Sequence, residues 1–550
     1  MTKRIVSLVL ALVMVLSMAN IAMAESTTES WKTDTTPVTL KVYYDRPMNG
    51  AQVTEAWGKD PVSQEWMKDT NVNVEWSYAI DDSHSKLNMM IASGDYPDVL
   101  VCQLSYDMLD DLAANDVIIK YNELADKYAP GFVERNMSAN TILAMRQEFA
   151  SNDIYALPVY SYKVEDMNNP EVSRCSTGIM VLKSVYEAIG SPDMTTIDGF
   201  LDALRKVKEM YPNMIPVQAS RNSSTDADGN PRCVGKLFPM FDLVGGYYYD
   251  AAADTYKKYW NSDNYKALLK FVNTLYNEGL MDPTELTDSG EQLQAKLFNG
   301  KIFCNMNNDA DNIDWFNTEL KKAGVNDEWI FPNQPSINTE KGYTNDGIMG
   351  GVGDHCIVIF NTENAGRALQ WVDYLMTDKA QIEVVAGVEN VSWNYNENGI
   401  PQIHDDVLAL TDNEKKENYG VGLYYFLRQG LYNNIMSKYS CSAEQTAAMT
   451  FMSKYYEDKS FIAGSKAENY ASDSEEIKIK TNIKEYYEVQ VLQMIMCKPD
   501  QLDTLYEQTM AKMYDLGQAK LDAAIDAFYK NKAENAKEYG ADLDLSFMGL

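Results

Sequence analysis

Val38, Leu40, Val42 and Tyr44 alternate with their neighbours at a period of two, the pattern of a strand with one buried face. Asp60-Pro61 then opens a helix-like stretch through Trp66, and Val72, Val74, Trp76 and Tyr78 alternate again. A second predicted helix carries Leu87, Met90 and Ile91 on one face and stops at Gly94. Asp98 leads from it into the continuous apolar run Val99 to Cys102. A continuous apolar strand is one covered on both faces, so this stretch reads as βαβαβ with a parallel sheet.

The pattern restarts near Gly178. Ile179 to Leu182 is strand-like, Val185 to Ile189 is a short helix stopped by Gly190, and Thr196 opens a longer helix with Phe200, Leu204 and Val207. Gly300 to Cys304 and His355 to Phe360 read as further strands, the latter followed by a helix with Ala365, Leu369, Val372 and Met376. The last hundred residues are helical and end in a charged tail. Two α/β lobes, each a doubly wound sheet with flanking helices, imply a cleft between them. Open parallel sheets bind ligands beyond the carboxyl ends of their strands. That rule selects Tyr44, Asp45 and Arg46 after the first strand, and Gln103, Ser105 and Tyr106 after the third.

The amino terminus is not part of either lobe. Lys3 and Arg4 precede an apolar run from Ile5 to Ile21 that ends in Ala22-Met23-Ala24, the order of a secretory signal cleaved after Ala24. An apolar run of about 17 residues is marginal for a membrane span. No cysteine stands near that exit, so no thiol is offered there for a lipid anchor. The mature chain is expected to be soluble and extracytoplasmic. With 48 Lys and Arg against 80 Asp and Glu, the net charge of −32 repels nucleic acid and anionic membrane, and neither is expected as a partner.

Candidate chemistry is sparse. No G-x-x-x-x-G-K-[ST], H-E-x-x-H, G-x-S-x-G or complete G-x-G-x-x-G occurs, which removes the common nucleotide, zinc-protease and serine-hydrolase readings. The three histidines, 84, 355 and 404, are scattered and suggest no local metal site. The stretch Asp226-Ala-Asp228-Gly-Asn230-Pro begins like a calcium loop but has Pro231 where the turn needs glycine, and a solvated turn is expected instead. Seven cysteines (102, 175, 233, 304, 356, 441, 497) form no C-x-x-C pair, and an odd number leaves at least one unpaired. Cys102 and Cys356 sit inside apolar runs and read as small buried hydrophobes. Thirty-six tyrosines and nine tryptophans supply rings on which sugars stack, although core packing accounts for most such rings in a large chain.

The order of several phrases resembles the family 1 extracellular solute-binding proteins, in particular large Firmicutes-type carbohydrate receptors. Ala92 to Leu100 is similar to an "ASGD-x-PD" helix end running into a buried strand, and Ile154 to Pro158 to a "Y-x-LP" crossing. Gly190 to Leu204, Tyr276 to Pro283, Leu297 to Lys301, Trp371 to Tyr374, Gly387 to Trp393 and Gly399 to Pro401 match further phrases in sequence. The resemblance implies a periplasmic-binding-protein-like fold of type II, with 25–37 a linker, 38–160 and 350–440 one lobe, and 161–349 and 441–550 the other. It implies capture of a sugar or oligosaccharide by lobe closure, delivery to the permease subunits of an ABC transporter, no cofactor and no catalysis. It adds Tyr160 after the first crossing, Asn307 and Asp309 from the second lobe, and His355 and Trp393 near the return crossing, to the candidate ligand contacts. The sequence departs from these relatives in lacking a lipobox cysteine. A monomer is expected. A secreted glycan-degrading enzyme and a non-transport lectin are the alternatives.

Overall fold

The computed structural model describes residues 29–538 except 82–83, 103–105, 138–140, 143–144, 147–150, 152, 159–176, 220–224, 227, 244–245, 341, 344, 347–355, 398–400, 425–441, 458–467, 469 and 471–473. The chain divides into two compact units, Met1–Asn168 with Gly350–Ser440 and Asn169–Met349 with Cys441–Leu550.

The first unit is built on β1 (Val38–Tyr44), β2 (Val72–Tyr78) and β3 (Val99–Cys102), the three strands expected from the hydrophobic pattern. β1 lies between the other two and runs parallel to both, in register from Val38 opposite Val72 to Tyr44 opposite Tyr78. The helix Pro61–Thr70 starts where the side chain of Asp60 accepts from Ser63 N at 3.0 Å, and it ends on Asn71 in the left-handed region. Gly94, at φ +74°, closes the helix Ser85–Ser93 in the same way. The sheet is not wholly parallel. Cys356–Ile359 pairs antiparallel with β3, and Leu157–Pro158 pairs antiparallel with Cys356–Ile359. No short helical crossover joins β3 to Cys356–Ile359, which removes the constraint that makes consecutive βαβ strands parallel.

Asp98 ties that late strand to the early ones. Its carboxylate accepts from Lys41 N at 2.9 Å and from Thr362 Oγ1 at 2.6 Å, while its own carbonyl accepts from Phe360 N. Much of the aromatic content is core: Trp66, Trp76, Trp371 and Tyr424 are buried around Trp57, with Trp57 to Tyr424 centroids 5.9 Å apart.

The second unit has a four-stranded sheet in the spatial order Trp329–Ile330, Thr177–Leu182, Ile302–Asp309, Ile215–Gln218. Only the last pair is parallel. The helices Asp263–Asn277 and Glu475–Met496 pack against each other, locked where Asn273 Nδ2 donates to the carbonyls of Met494, Ile495 and Cys497 at 2.8 to 3.1 Å.

The turn Asp226–Asn230 is not the solvated turn expected from sequence. Asp226 Oδ1 accepts from Asp228 N and Asn230 N, and the fully buried Asn230 side chain bonds Tyr259, Tyr265 and Tyr487. Lys258, only 4% exposed, reaches Asp228 Oδ1 at 3.1 Å and pairs with Glu468. Burial opposes the charge of Lys258, but the two carboxylates outweigh it and hold its pKa above the ordinary lysine value. The polar sequence looked solvated because its partner ammonium arrives from a strand about thirty residues later. Lys258→Met removes the ammonium paired with the buried Asp228 and leaves Glu468 with Lys480 at 3.8 Å and the Tyr247 hydroxyl, and urea unfolding is expected to show a loss of about 3–5 kcal/mol. An unchanged midpoint would show that the pair contributes nothing.

Candidate ligand-binding site

The parallel register of β1, β2 and β3 brings their carboxyl ends to one edge. Two backbone bonds extend the pairing past the strands: Asp45 N donates to Val101 O at 2.8 Å and Ala79 N to Tyr44 O at 3.0 Å. The segment after β2 is therefore carried beside the residue that follows β1. There the buried carboxylate of Asp45 meets His84, with Oδ2 2.5 Å from Nδ1. His84 stands just before the helix Ser85–Ser93 at φ +55°, and its ring is 31% exposed. A carboxylate acceptor on Nδ1 fixes the proton there, so Nε2 is the nitrogen that the imidazole presents to other groups.

Among the described residues Oδ1 of Asp45 is buried without a well-formed hydrogen bond, and the hydroxyl of Tyr43, likewise without one, interacts with the same carboxylate. A buried carboxylate oxygen without a well-formed hydrogen bond is costly, and such a group in a native fold calls for a water or ligand donor. The phenol of Tyr43 lies close by. Burial first, and then the charge of Asp45, push its pKa up, so it stays a neutral hydroxyl. Lys86 Nζ donates to Tyr78 O at 3.1 Å and lies 5.4 Å over the Tyr43 ring. The edge thus gathers an acceptor carboxylate, an imidazole, a neutral phenol and an ammonium within a few residues of the strand ends.

The other sequence-selected residues fare differently. Tyr44 does not face outward: it is 2% exposed and packs beside Gly50 and Tyr78, because alternation along β1 sends it to the opposite face from Tyr43. Arg46 is partly exposed at the start of the helix Pro47–Ala56. Tyr106 opens the helix Tyr106–Ala114, and Asn307 and Asp309 lie in the strand Ile302–Asp309, but the side chains of all three fall outside the described residues. Gln103, Ser105, Tyr160 and His355 also lie outside them. Trp393, expected to stack on ligand, is core instead. It is 4% exposed among Val385, Ala386, Ile403 and Val407, and its Nε1 donates to Gly387 O at 3.0 Å. Gly387, at φ +81°, has no room for a Cβ against Ser392, so the glycine-to-tryptophan phrase in the sequence encodes a tight turn and its packing. His84 was missed because its partner is thirty-nine positions away, and only the β1–β2 register brings the two together.

A cavity of about 1060 Å³ in the first unit lies elsewhere, beside Trp31, Asp69, Arg135, Asp373, Tyr374 and Lys379. Its charges satisfy one another: Arg135 Nη2 is 3.0 Å from Asp373 Oδ1, Ser30 Oγ donates to Asp373 Oδ2 at 2.6 Å, and Lys379 Nζ is 2.5 Å from Asp69 Oδ2. Its internally paired charges leave little for a ligand to complete. Among the described residues the strand edge, by contrast, keeps a buried acceptor without a well-formed hydrogen bond. Among the described residues no group of His, Cys, Asp or Glu is arranged to hold a metal ion, and no helix is long and apolar enough to cross a membrane.

The sequence profile for bacterial extracellular solute-binding protein matches residues 50–382. The fructooligosaccharide ABC transporter substrate-binding protein FusA of Streptococcus pneumoniae is 24% identical over 336 residues, which are 57% of this chain and 58% of that protein. The chain therefore aligns with little more than half of that curated relative. The solved S. pneumoniae FusA EF-hand mutant in complex with fructo-nystose is 18% identical, with a TM-score of 0.57 over 90% of this chain and 100% of that one. The HMO-binding ABC-transporter-associated solute-binding protein of Bifidobacterium longum infantis is 16% identical, with a TM-score of 0.64 over 90% of this chain and 99% of that one. These two likenesses establish the fold, a type II periplasmic-binding-protein architecture. A profile match over more than half of the residues, on that fold, makes the chain a member of the bacterial extracellular solute-binding protein family.

Proposed function

We propose that this protein captures an oligosaccharide outside the cytoplasm and delivers it, as a monomer, to the permease subunits of an ABC transporter. Cleavage after Ala24 releases the mature chain in this reading. The relatives named above bind fructooligosaccharide or HMO. The observation in this chain that carries the reading is the buried Asp45 carboxylate behind a partly exposed His84, with one oxygen that lacks a well-formed hydrogen bond among the described residues. A sugar hydroxyl both donates and accepts, so it can complete an acceptor-rich edge that a hydrocarbon ligand would leave unpaired.

His84 touches the sugar in this proposal, and Asp45 positions it. Arg46, Gln103, Ser105 and Tyr106 extend the contacts along the same unit, and Tyr160, Asn307, Asp309 and His355 are the remaining proposed contacts.

A thermal-shift screen against kestose, nystose, Man5GlcNAc and a set of short peptides tests the ligand class. A bound sugar at about 100 times its dissociation constant stabilises the native state by roughly 2.7 kcal/mol. Stabilisation by peptides with none by sugars would overturn the assignment.

For the site, His84→Ala is expected to weaken binding of a stabilising sugar about tenfold or more, the order expected for a hydrogen bond to a charge-assisted pair. Asp45→Asn is expected to weaken it in the same direction. The double variant is expected to lose less than the sum, since the two residues act as one unit. Calorimetry on folded variants decides this. Unchanged affinity in both single variants would remove the dyad from the site.

A further inference from the structure

Cys102 is the last residue of β3, and Cys356 is the first of its antiparallel neighbour Cys356–Ile359. The two are direct partners in the ladder, 254 positions apart in sequence, with their sulfur atoms 3.4 Å from each other and both side chains fully buried. Opposed residues of an antiparallel pair have Cα atoms about 4.5 to 5.5 Å apart, inside the range that a disulfide spans. Closing the bond brings the sulfurs together by about 1.4 Å, to a length near 2.05 Å. The other described cysteines offer nothing similar. Cys233 and Cys304 are buried in the second unit, where burial pushes both thiols up, and Cys497 sits at the end of the helix Glu475–Met496.

We propose that Cys102 and Cys356 form a redox modification site that closes to a cross-strand disulfide outside the cytoplasm, where oxidising conditions let such bonds form and persist. The oxidant is a disulfide, carried by a thiol oxidoreductase or a small molecule. The thiolate of one cysteine attacks a sulfur of that disulfide and expels one thiolate. The second cysteine then attacks the mixed disulfide and expels the other. Two protons leave the cysteines, two electrons pass to the oxidant, and the oxidant ends as two thiols. Because both sulfurs are buried, exchange takes place before the sheet closes during folding, or during its local opening.

The position gives the bond a consequence. Cys102 directly precedes residues 103–105, and Cys356 directly follows residue 355, so the bond ties together the two chain segments that carry Gln103, Ser105 and His355. It also fastens the returning segment of the first unit to its amino-terminal part. The proposal is independent of which ligand binds.

The test uses the full chain secreted through its own leader, denatured in N-ethylmaleimide without reductant, digested and mapped by mass spectrometry. The same chain, refolded from the reduced state in a glutathione and glutathione-disulfide buffer, is mapped in parallel. Most of the Cys102 and Cys356 peptides are expected to be recovered joined, two hydrogens lighter than the free pair, while Cys233 and Cys304 carry the maleimide. In Cys356→Ala the Cys102 peptide is expected to be labelled. Full labelling of both cysteines in both wild-type preparations, or recovery of Cys102 joined to a different cysteine, would overturn the proposal.

Discussion

A carboxylate removed from water must find donors, and the placement of Asp45 makes that requirement the organising constraint of the first unit. β1 is the middle of three parallel strands, so the residue that follows it emerges at the centre of their common carboxyl edge. The bond from Asp45 N to Val101 O holds the backbone there, and the side chain turns into a buried space where, among the described residues, one imidazole gives it its one well-formed side-chain hydrogen bond. The left-handed backbone of His84 delivers that imidazole. The left-handed conformation is unfavourable for a histidine, and the short bond to a buried carboxylate offsets it.

The second unit meets the same constraint differently. Lys258 supplies a full positive charge to Asp228 and Glu468, and Asn230 joins three tyrosine hydroxyls, so these charges are matched within the protein, while Thr255 Oγ1, Trp260 Nε1 and Tyr470 OH form no hydrogen bond among the described residues. The contrast has functional meaning. The Lys258 charges are balanced from within, whereas among the described residues the Asp45 carboxylate keeps one oxygen without a well-formed hydrogen bond.

Much of the fold was legible because it is written in local periodicity. The alternation of Val38 to Tyr44 and Val72 to Tyr78, the apolar run of Val99 to Cys102, and the stop at Gly94 all correspond to observed elements. The antiparallel entry of Cys356–Ile359 was not legible, since strand direction depends on a path through more than 250 residues and not on local pattern. The strand-end rule located Asp45 correctly as a residue at the edge but could not show that its carboxylate is buried behind His84. It also selected Tyr44, because the rule names positions after a strand without saying which face each side chain takes. Trp393 illustrates a different limit: a phrase shared with a family can mark packing as readily as binding, and its indole is held by Gly387 O inside a small apolar cluster.

The central claim is that ligand is read at the carboxyl edge of β1, β2 and β3. Hydrogen–deuterium exchange of the protein with and without a stabilising sugar tests it most directly. The account expects slower exchange on binding at residues 45–46, 78–86 and 99–106. Protection confined to the cavity around Arg135 and Asp373, with those three segments unchanged, would contradict it.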